Sequence, residues 1–533
     1  MKGGFRQSMT WLHTWTGLLF SWVLFFIFVT GTLGYFDTEI DHWMEPERIP
    51  AVDVPVRDAY TVAQAYLEEN AVGADRWSMS HPSGRNNPQL SVFWQMPAPE
   101  DASMADPETL RGNVQLHTVT GEPLDHNVRE TGGGQVLYRM HYALHYINFD
   151  VAYRLVGFIT LLMFIGMISG IVVHKRIFKD FFTFRPARGQ RSWLDMHNLL
   201  SVSSLPFLLM ITYSGLLFVL TTWMPGVALG SYGFNVQKVQ AELQGALGRP
   251  PAERSGISAG IVDIGIVLDQ IDESLSLEAI GNVEFQKPGD VNGKIIVNPA
   301  RKDIGFFGES LVFDAVTGEF IEERPFTESK VIGVAGAMLG LHEGLFADTV
   351  TRWLYFIAGL VGTAMVATGC VYWTAKRRKE LPDRAQDRGF RFVECLNIGT
   401  IAGLPVAIAA YFWANRLLPV GMEHRAEWEV HVMFISWAAC LLYPLFRPRI
   451  SAWRELFFVA AVASIAIPAL NAATTDVHLA NSVPSGDWVM AGFDLTCIAL
   501  GIGLAVLASN IRVRQTEARA IVDEHASPTV GQA

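Results

Sequence analysis

Eight stretches of this chain stay apolar for long enough to cross a bilayer: 11–36, 149–174, 195–224, 350–374, 395–418, 429–446, 453–471 and 488–509. A span needs about 20 mostly apolar residues, and hydrocarbon offers no water to satisfy exposed backbone groups, so each stretch is expected to be a helix. Charged residues make up only 17% of the 533, below the roughly 25% of ordinary soluble domains. The chain therefore reads as an integral membrane protein in a lipid bilayer. The first stretch outruns a signal-peptide core and has no A-x-A cleavage site, so it is expected to be a retained anchor.

Lysine and arginine set the expected orientation. Basic clusters occur at Lys2 and Arg6, across 175–191, across 375–391, at Arg447, Arg449 and Arg454, and at Arg512, Arg514 and Arg519. Alternate connections lack them, so the positive-inside rule puts both termini in the cytoplasm and exports two long loops, 37–144 and 225–341. Residues 37–140 hold no lysine, and seventeen acidic residues face seven arginines. An acidic exported surface with a net charge of −11 argues against nucleic acid as a partner. The expected division is 1–36 (tail and first span), 37–144 (first exported domain), 145–224 (second span, basic loop, third span), 225–341 (second exported domain), 342–380 (fourth span), 381–510 (four further spans) and 511–533 (tail).

Histidine is scarce, yet His13, His145, His174, His197 and His342 stand at the ends of apolar segments. An ionisable ring near hydrocarbon is costly and usually has a functional partner. The four cysteines lie in or beside spans and there is no C-x-x-C-H, so covalent c-type haem attachment is not expected. With no H-E-x-x-H and histidines at opposite faces, a closed zinc site is not indicated.

An internal repeat pairs the rings. His13 precedes Thr30-Gly31 as His197 precedes Ser214-Gly215, with eighteen residues from histidine to glycine in both. HTVTGEPLD answers FDAVTGEFIEE in the exported loops, and Gly121 and Gly318 lie 24 residues before His145 and His342. The returning spans share Arg154 or Arg352 and a late Ser169-Gly170 or Thr368-Gly369. This arrangement predicts two copies of helix, exported domain, helix. It pairs His13 with His197 at the cytoplasmic face and His145 with His342 at the outer face, each pair able to ligate a haem iron from both sides. Small residues Gly17, Ser201, Gly31 and Gly215 would let a porphyrin approach a backbone or serve plain helix packing.

Other polar residues compete for roles. His174, matched by Trp373 in the second copy, is an alternative inner ligand, a propionate partner or an interfacial residue. His141 lies one turn before His145 and competes with it. His424 and His431 are seven apart, which allows a shared face near the outer end of the sixth span; the readings are an interfacial position, a third haem or a quinone pocket. Arg139, Arg154 and Arg352 near the outer face, and Arg185 and Arg191 near the inner, are candidates for propionate pairing. His42, His81, His117, His126, His478 and His525 are expected in solvent.

The motifs WLHTWTGL with a downstream Thr-Gly, LH before the second span, DMHN opening the third and LHEGLF before a Gly-rich span ending in RR resemble the PepSY-associated transmembrane helix family, across about residues 8–380. That family includes ferric-siderophore reductases of the bacterial inner membrane with b-type haems. The resemblance implies two haems b held by His13, His145, His197 and His342, and a ferric siderophore as substrate. The last four spans lie outside it.

Each exported loop combines a helical pattern (VRDAYTVAQAYLEEN; VDIGIVLDQIDESL) with short alternating runs, so the expectation is two α+β modules, a helix on a small antiparallel sheet, resembling PepSY domains. No G-x-G-x-x-G follows a strand, so the chain is not expected to oxidise a nicotinamide itself, and the donor is expected to be quinol or a redox protein. Transmembrane electron transfer is the leading function. Its rivals are a non-enzymatic sensor or assembly protein, and an iron or chelate transporter.

Overall fold

A computed structural model describes residues 4–48, 51–83, 88–97, 110–124, 128–174, 189–224, 252–272, 276–300, 309–324, 330–380 and 387–511, with a few single residues between them. Along the chain run α1 (Phe5–Leu19), α2 (Ser21–Gly34), α3 (Asp37–Met44), α4 (Val56–Asn70), β1 (Arg76–Ser80), β2 (Leu90–Gln95), β3 (Arg111–Leu116), α5 (Gly133–Ala143), α6 (Phe149–Val173), α7 (Gln190–Ser203) and α8 (Leu205–Phe218). Then come α9 (Ile264–Asp272), β4 (Ile280–Gln286), β5 (Lys294–Pro299), β6 (Ser310–Asp314), β7 (Phe320–Arg324), α10 (Lys330–Glu343), α11 (Thr349–Glu380), α12 (Arg388–Ile401), α13 (Gly403–Leu417), α14 (Arg425–Leu442), α15 (Arg449–Thr474) and α16 (Trp488–Asn510). Six helices or joined helix pairs are long and apolar enough to span a membrane, and up to eight if two bent pairs are counted as spans.

Those bent pairs depart from the expectation of continuous first and third spans. The axis turns by 65° between α1 and α2 and by 67° between α7 and α8. Pro206 at the start of α8 explains the second break, since it has no N–H to continue the ladder. In the first, the Ser21 hydroxyl donates to the Leu18 carbonyl at 3.0 Å, giving that carbonyl a local partner at the break. Each break falls seven residues after a histidine: Phe20 after His13 and Ser204 after His197.

The long loops also depart from the expected pair of separate sheets. Their strands form one seven-stranded antiparallel sheet in the order β3-β2-β1-β4-β5-β6-β7. The junction is β1 on β4, with Trp77 opposite Phe285 and Met79 opposite Val283. One core joins the two: Tyr60, Ala63 and Leu67 of α4 and Val267 and Leu268 of α9 pack with Trp77, Val92, Val283, Phe285 and Phe313. Gln64 of α4 stitches the two loops, donating to the Val262 carbonyl at 2.9 Å and accepting from the Ile264 N–H at 2.7 Å. The expected tight turns are present, with Gly121 and Gly318 at φ +71° and +76°, a region that costs glycine little.

The last four spans are welded to the rest. Phe25, Trp43, Met44 and Leu137 share one core with Leu404, Tyr411, Phe412, Met433 and Met490. Arg416 lies 3.7 Å from the Trp43 ring centre and donates to Asn471 at 2.9 Å; Asn471 and Trp43 both donate to the buried Asp494. Arg425 and Glu429, both fully buried, pair at 2.5 Å, and Arg129 bonds Glu47 and the Asn415 carbonyl. Exposed Ile357, Phe458, Val462 and Leu507 suit the lipid-facing side of such a bundle.

Candidate functional site: two opposed histidine pairs

Near the end of the bundle that carries Arg6, Arg185 and Arg377, here the basic end, His13 of α1 faces His197 of α7 with ring centres 6.3 Å apart. Near the end that carries the sheet, His141 of α5 faces His342 of α10 at 6.1 Å. A metal bound at about 2 Å by each of two imidazole nitrogens, with ring centres about 1.1 Å behind them, sets ring centres roughly 6.2 Å apart. Both pairs have that spacing.

The four rings are seated alike. Nδ1 of His13 bonds the Gly166 carbonyl at 2.8 Å, Nδ1 of His197 the Met365 carbonyl at 3.0 Å, and Nδ1 of His141 the Ile27 carbonyl at 2.8 Å. His342 meets the Ser214 hydroxyl at 3.0 Å and the Ile211 carbonyl. Four residues beyond each carbonyl comes a glycine: Gly170, Gly369, Gly31 and Gly215. A Cβ on Gly170, Gly369 or Gly215 would lie 3.1 Å from the ring, and one on Gly31 would overlap His141 outright. Before each glycine stands Ser169, Thr368, Thr30 or Ser214, whose hydroxyl turns back onto that same carbonyl. The small-Gly pairs of the sequence are therefore seats for imidazoles. The glycine lets the ring reach the helix backbone, and a carbonyl that takes the Nδ1 proton leaves Nε2 as the ligating nitrogen.

His145 is not the ring that faces His342. It stacks on Phe434 at 5.8 Å and meets Tyr146 edge-on at 4.2 Å, while His141 occupies the place expected for it. Counting from Gly121 through the loop misplaces the register by one helical turn. Counting back from the next helix does not, since His141 lies eight residues before Phe149 and His342 seven before Thr349. Burial first, and then His431 and Arg139, push the His145 pKa down. His431 accepts the Tyr146 hydroxyl, and His424 is exposed. His81, expected in solvent, is buried and bonds the Ile280 carbonyl at 3.0 Å.

A cavity of about 1480 Å³ surrounds the His13–His197 pair, lined by Thr16, Gly17, Gly170, Ser201 and Gly369 and, toward the basic end, by His174, Arg185, Arg191, Trp373, Lys376 and Arg377. Of the expected propionate partners, Arg191 is exposed, and Arg185 holds Asp195 at 2.8 Å. At the sheet end Arg352 is buried against Glu39, and Arg139 and Arg154 are exposed. The reading by residue type passed over Arg377 and Trp373. Carboxylates and phenols crowd the sheet-end pair: the Tyr138 hydroxyl donates to Glu343, next to His342, at 3.0 Å, and Tyr35 donates to the His342 carbonyl. Among the described residues no three His, Cys, Asp or Glu side chains gather around a metal position. Each pair can offer a metal two nitrogens from opposite sides.

A Pseudomonas aeruginosa protein named only as "Uncharacterized protein PA4219" is 26% identical over 355 residues, 63% of this chain and 84% of that one. The model of the PepSY-associated TM region matches residues 10–376, ending within α11 and covering all four seated histidines. The chain belongs to the PepSY-associated transmembrane family.

Proposed function

We propose that this membrane protein binds two b-type haems, one between His13 and His197 and one between His141 and His342, and carries electrons through the bundle to an acceptor on the sheet side. The observation that carries the reading is the doubled geometry: two imidazole pairs at 6.3 and 6.1 Å, each ring clipped by Nδ1 to a helix. Two opposed nitrogens, with no third protein ligand among the described residues, suit a metal that brings its own planar equatorial donors. Haem supplies a one-electron Fe(III)/Fe(II) couple.

The chain's own residues do the rest. The carbonyl and glycine seats hold the rings in place before ligation, and the apolar walls of the cavity keep water from the iron. Along helix α11, Gly369 seats the His197 ring and Gly359 packs on Thr32, beside the seat of His141. Ten residues of helix rise about 15 Å, half of a hydrocarbon layer of about 30 Å, so the two sites would lie at different depths and divide the crossing between them.

The acceptor most in keeping with this arrangement is a ferric siderophore at a bacterial inner membrane, because hard oxygen donors hold Fe(III) better than Fe(II) and one electron loosens the chelate. Quinol or a redox protein is the proposed donor. The test is the spectrum of the purified protein: two b-type haems per chain, about half lost in His13→Ala or His197→Ala, and the other half lost in His141→Ala or His342→Ala. A colourless wild-type protein that is folded and haem-fed would end the proposal.

A further inference from the structure

Arg377 has its guanidinium 3.8 Å from the Trp373 ring centre and 5.8 Å from that of Trp15. Among the described residues no carboxylate makes an ion pair with it, although it lines the cavity that holds His13 and His197. A cation–π stack orients a guanidinium without using its N–H donors. The Trp373 indole N–H beside it is buried and has no acceptor, and an unmade hydrogen bond of this kind costs about 1–3 kcal/mol.

His174 stands in the matching place on the other wall. It lies four residues after Gly170, as Trp373 lies four after Gly369, so both are about 6 Å nearer the basic end than the imidazole seats. His174 also lines the cavity. The cavity thus has small and apolar residues at the level of the two facing rings, and on the rim the Trp373 and His174 donors beside Arg377, Lys376 and Arg191.

We propose that this rim is a binding site for the two carboxylate arms of a planar cofactor seated between His13 and His197, with Trp373 and Arg377 taking one arm and His174 the other. The inference rests on the haem reading above and extends it: it fixes which edge of the ring system points to the basic end, and it gives His174 a task other than ligation.

The test uses full-length protein in lipid nanodiscs. Arg377→Gln, Trp373→Phe and His174→Ala should keep both b-type spectra and the wild-type elution profile. Transfer of one of the two haems to an excess of a haem-scavenging apoprotein should become about tenfold faster, with the midpoint potential of that haem alone displaced. Arg377→Lys should recover part of the loss. In protein reconstituted with the dimethyl ester of haem, which has no carboxylates, wild type and variants should release it at one rate. Equal retention in wild type and variants, or the same tenfold difference with the ester, overturns the proposal. So does unaltered retention combined with slower reduction by an anionic soluble donor, which would assign the rim to that donor. A wild type without haem defeats the earlier reading instead.

Discussion

The two histidine pairs share one seat design and lie in opposite surroundings. The basic-end pair borders a large cavity rimmed by Arg377, Lys376 and Arg191. The sheet-end pair sits against Tyr35, Tyr138 and Glu343, near α3, whose Glu39 pairs with Arg85 and with Arg352 of α11. If each pair holds a haem as proposed, the seats would set the ligation and the neighbours the electrostatics, so the two potentials should differ. Cations favour the more positive state of their surroundings least, and a ferric centre beside them is reduced more readily than one beside carboxylates.

The largest effect that could break this comparison is a histidine swap. His141→Ala should remove the sheet-end site completely and His145→Ala should leave it in place, as read by haem content. The reverse result would restore the register expected from the loop. A finer probe uses the seats. Gly31→Ala has no room against His141 and should abolish the sheet-end site, whereas Gly170→Ala and Gly369→Ala, with contacts at 3.1 Å, need the ring to yield only a few tenths of an ångström. These two should keep the basic-end haem with a shifted potential; spectra and redox titration distinguish the cases.

A third prediction separates the ends by stability. Glu429→Gln leaves the buried Arg425 without its counter-charge, a change worth about 3–5 kcal/mol. It should lower the thermal midpoint and loosen the sheet-end haem first, because Glu429 also accepts from Thr131 and the Gly132 N–H at the head of α5. Equal loosening of both haems would contradict it.

The smallest effect concerns pH. Asp290 accepts from the backbone N–H of Asn292 and from Ser255 and Gly256, and these bonds hold its carboxyl well below its ordinary value of 3.8. A folded-state pKa below the unfolded one gives stability that is complete above the unfolded value and lost as pH falls toward the folded one. The sheet should therefore weaken below about pH 4, and Asp290→Asn should flatten that acid limb in melting curves while the basic-end haem spectrum stays unchanged.

Much of this was legible in the residues. Eight apolar runs became six helices of spanning length and two bent pairs, and the equal spacing from His13 to Gly31 and from His197 to Gly215 marked glycines that the structure places against imidazole rings. The slip at His145 has a physical cause: the distance from the TG turn to the histidine depends on the intervening loop and strand exit, which differ in length, whereas the distance to the next helix depends on one short turn. The pairing of β1 with β4 was hidden because strand register across two distant loops is tertiary information. The weld at Arg416, Arg425 and Asp494 did leave a signal, namely charged residues at the ends of apolar runs in a region that the family resemblance does not cover.

Each opposed pair takes one ring from residues before the 175–189 connection and one from residues after it, and the sheet is closed by a strand from either side of the same divide. A chain cut in that connection would yield two fragments that each carry half of every ligand set and an unsatisfied β-edge. On the proposed haem reading neither fragment would hold a cofactor alone, so co-expressed fragments should gain colour only by finding each other, which would make the colour a reporter of their reassembly.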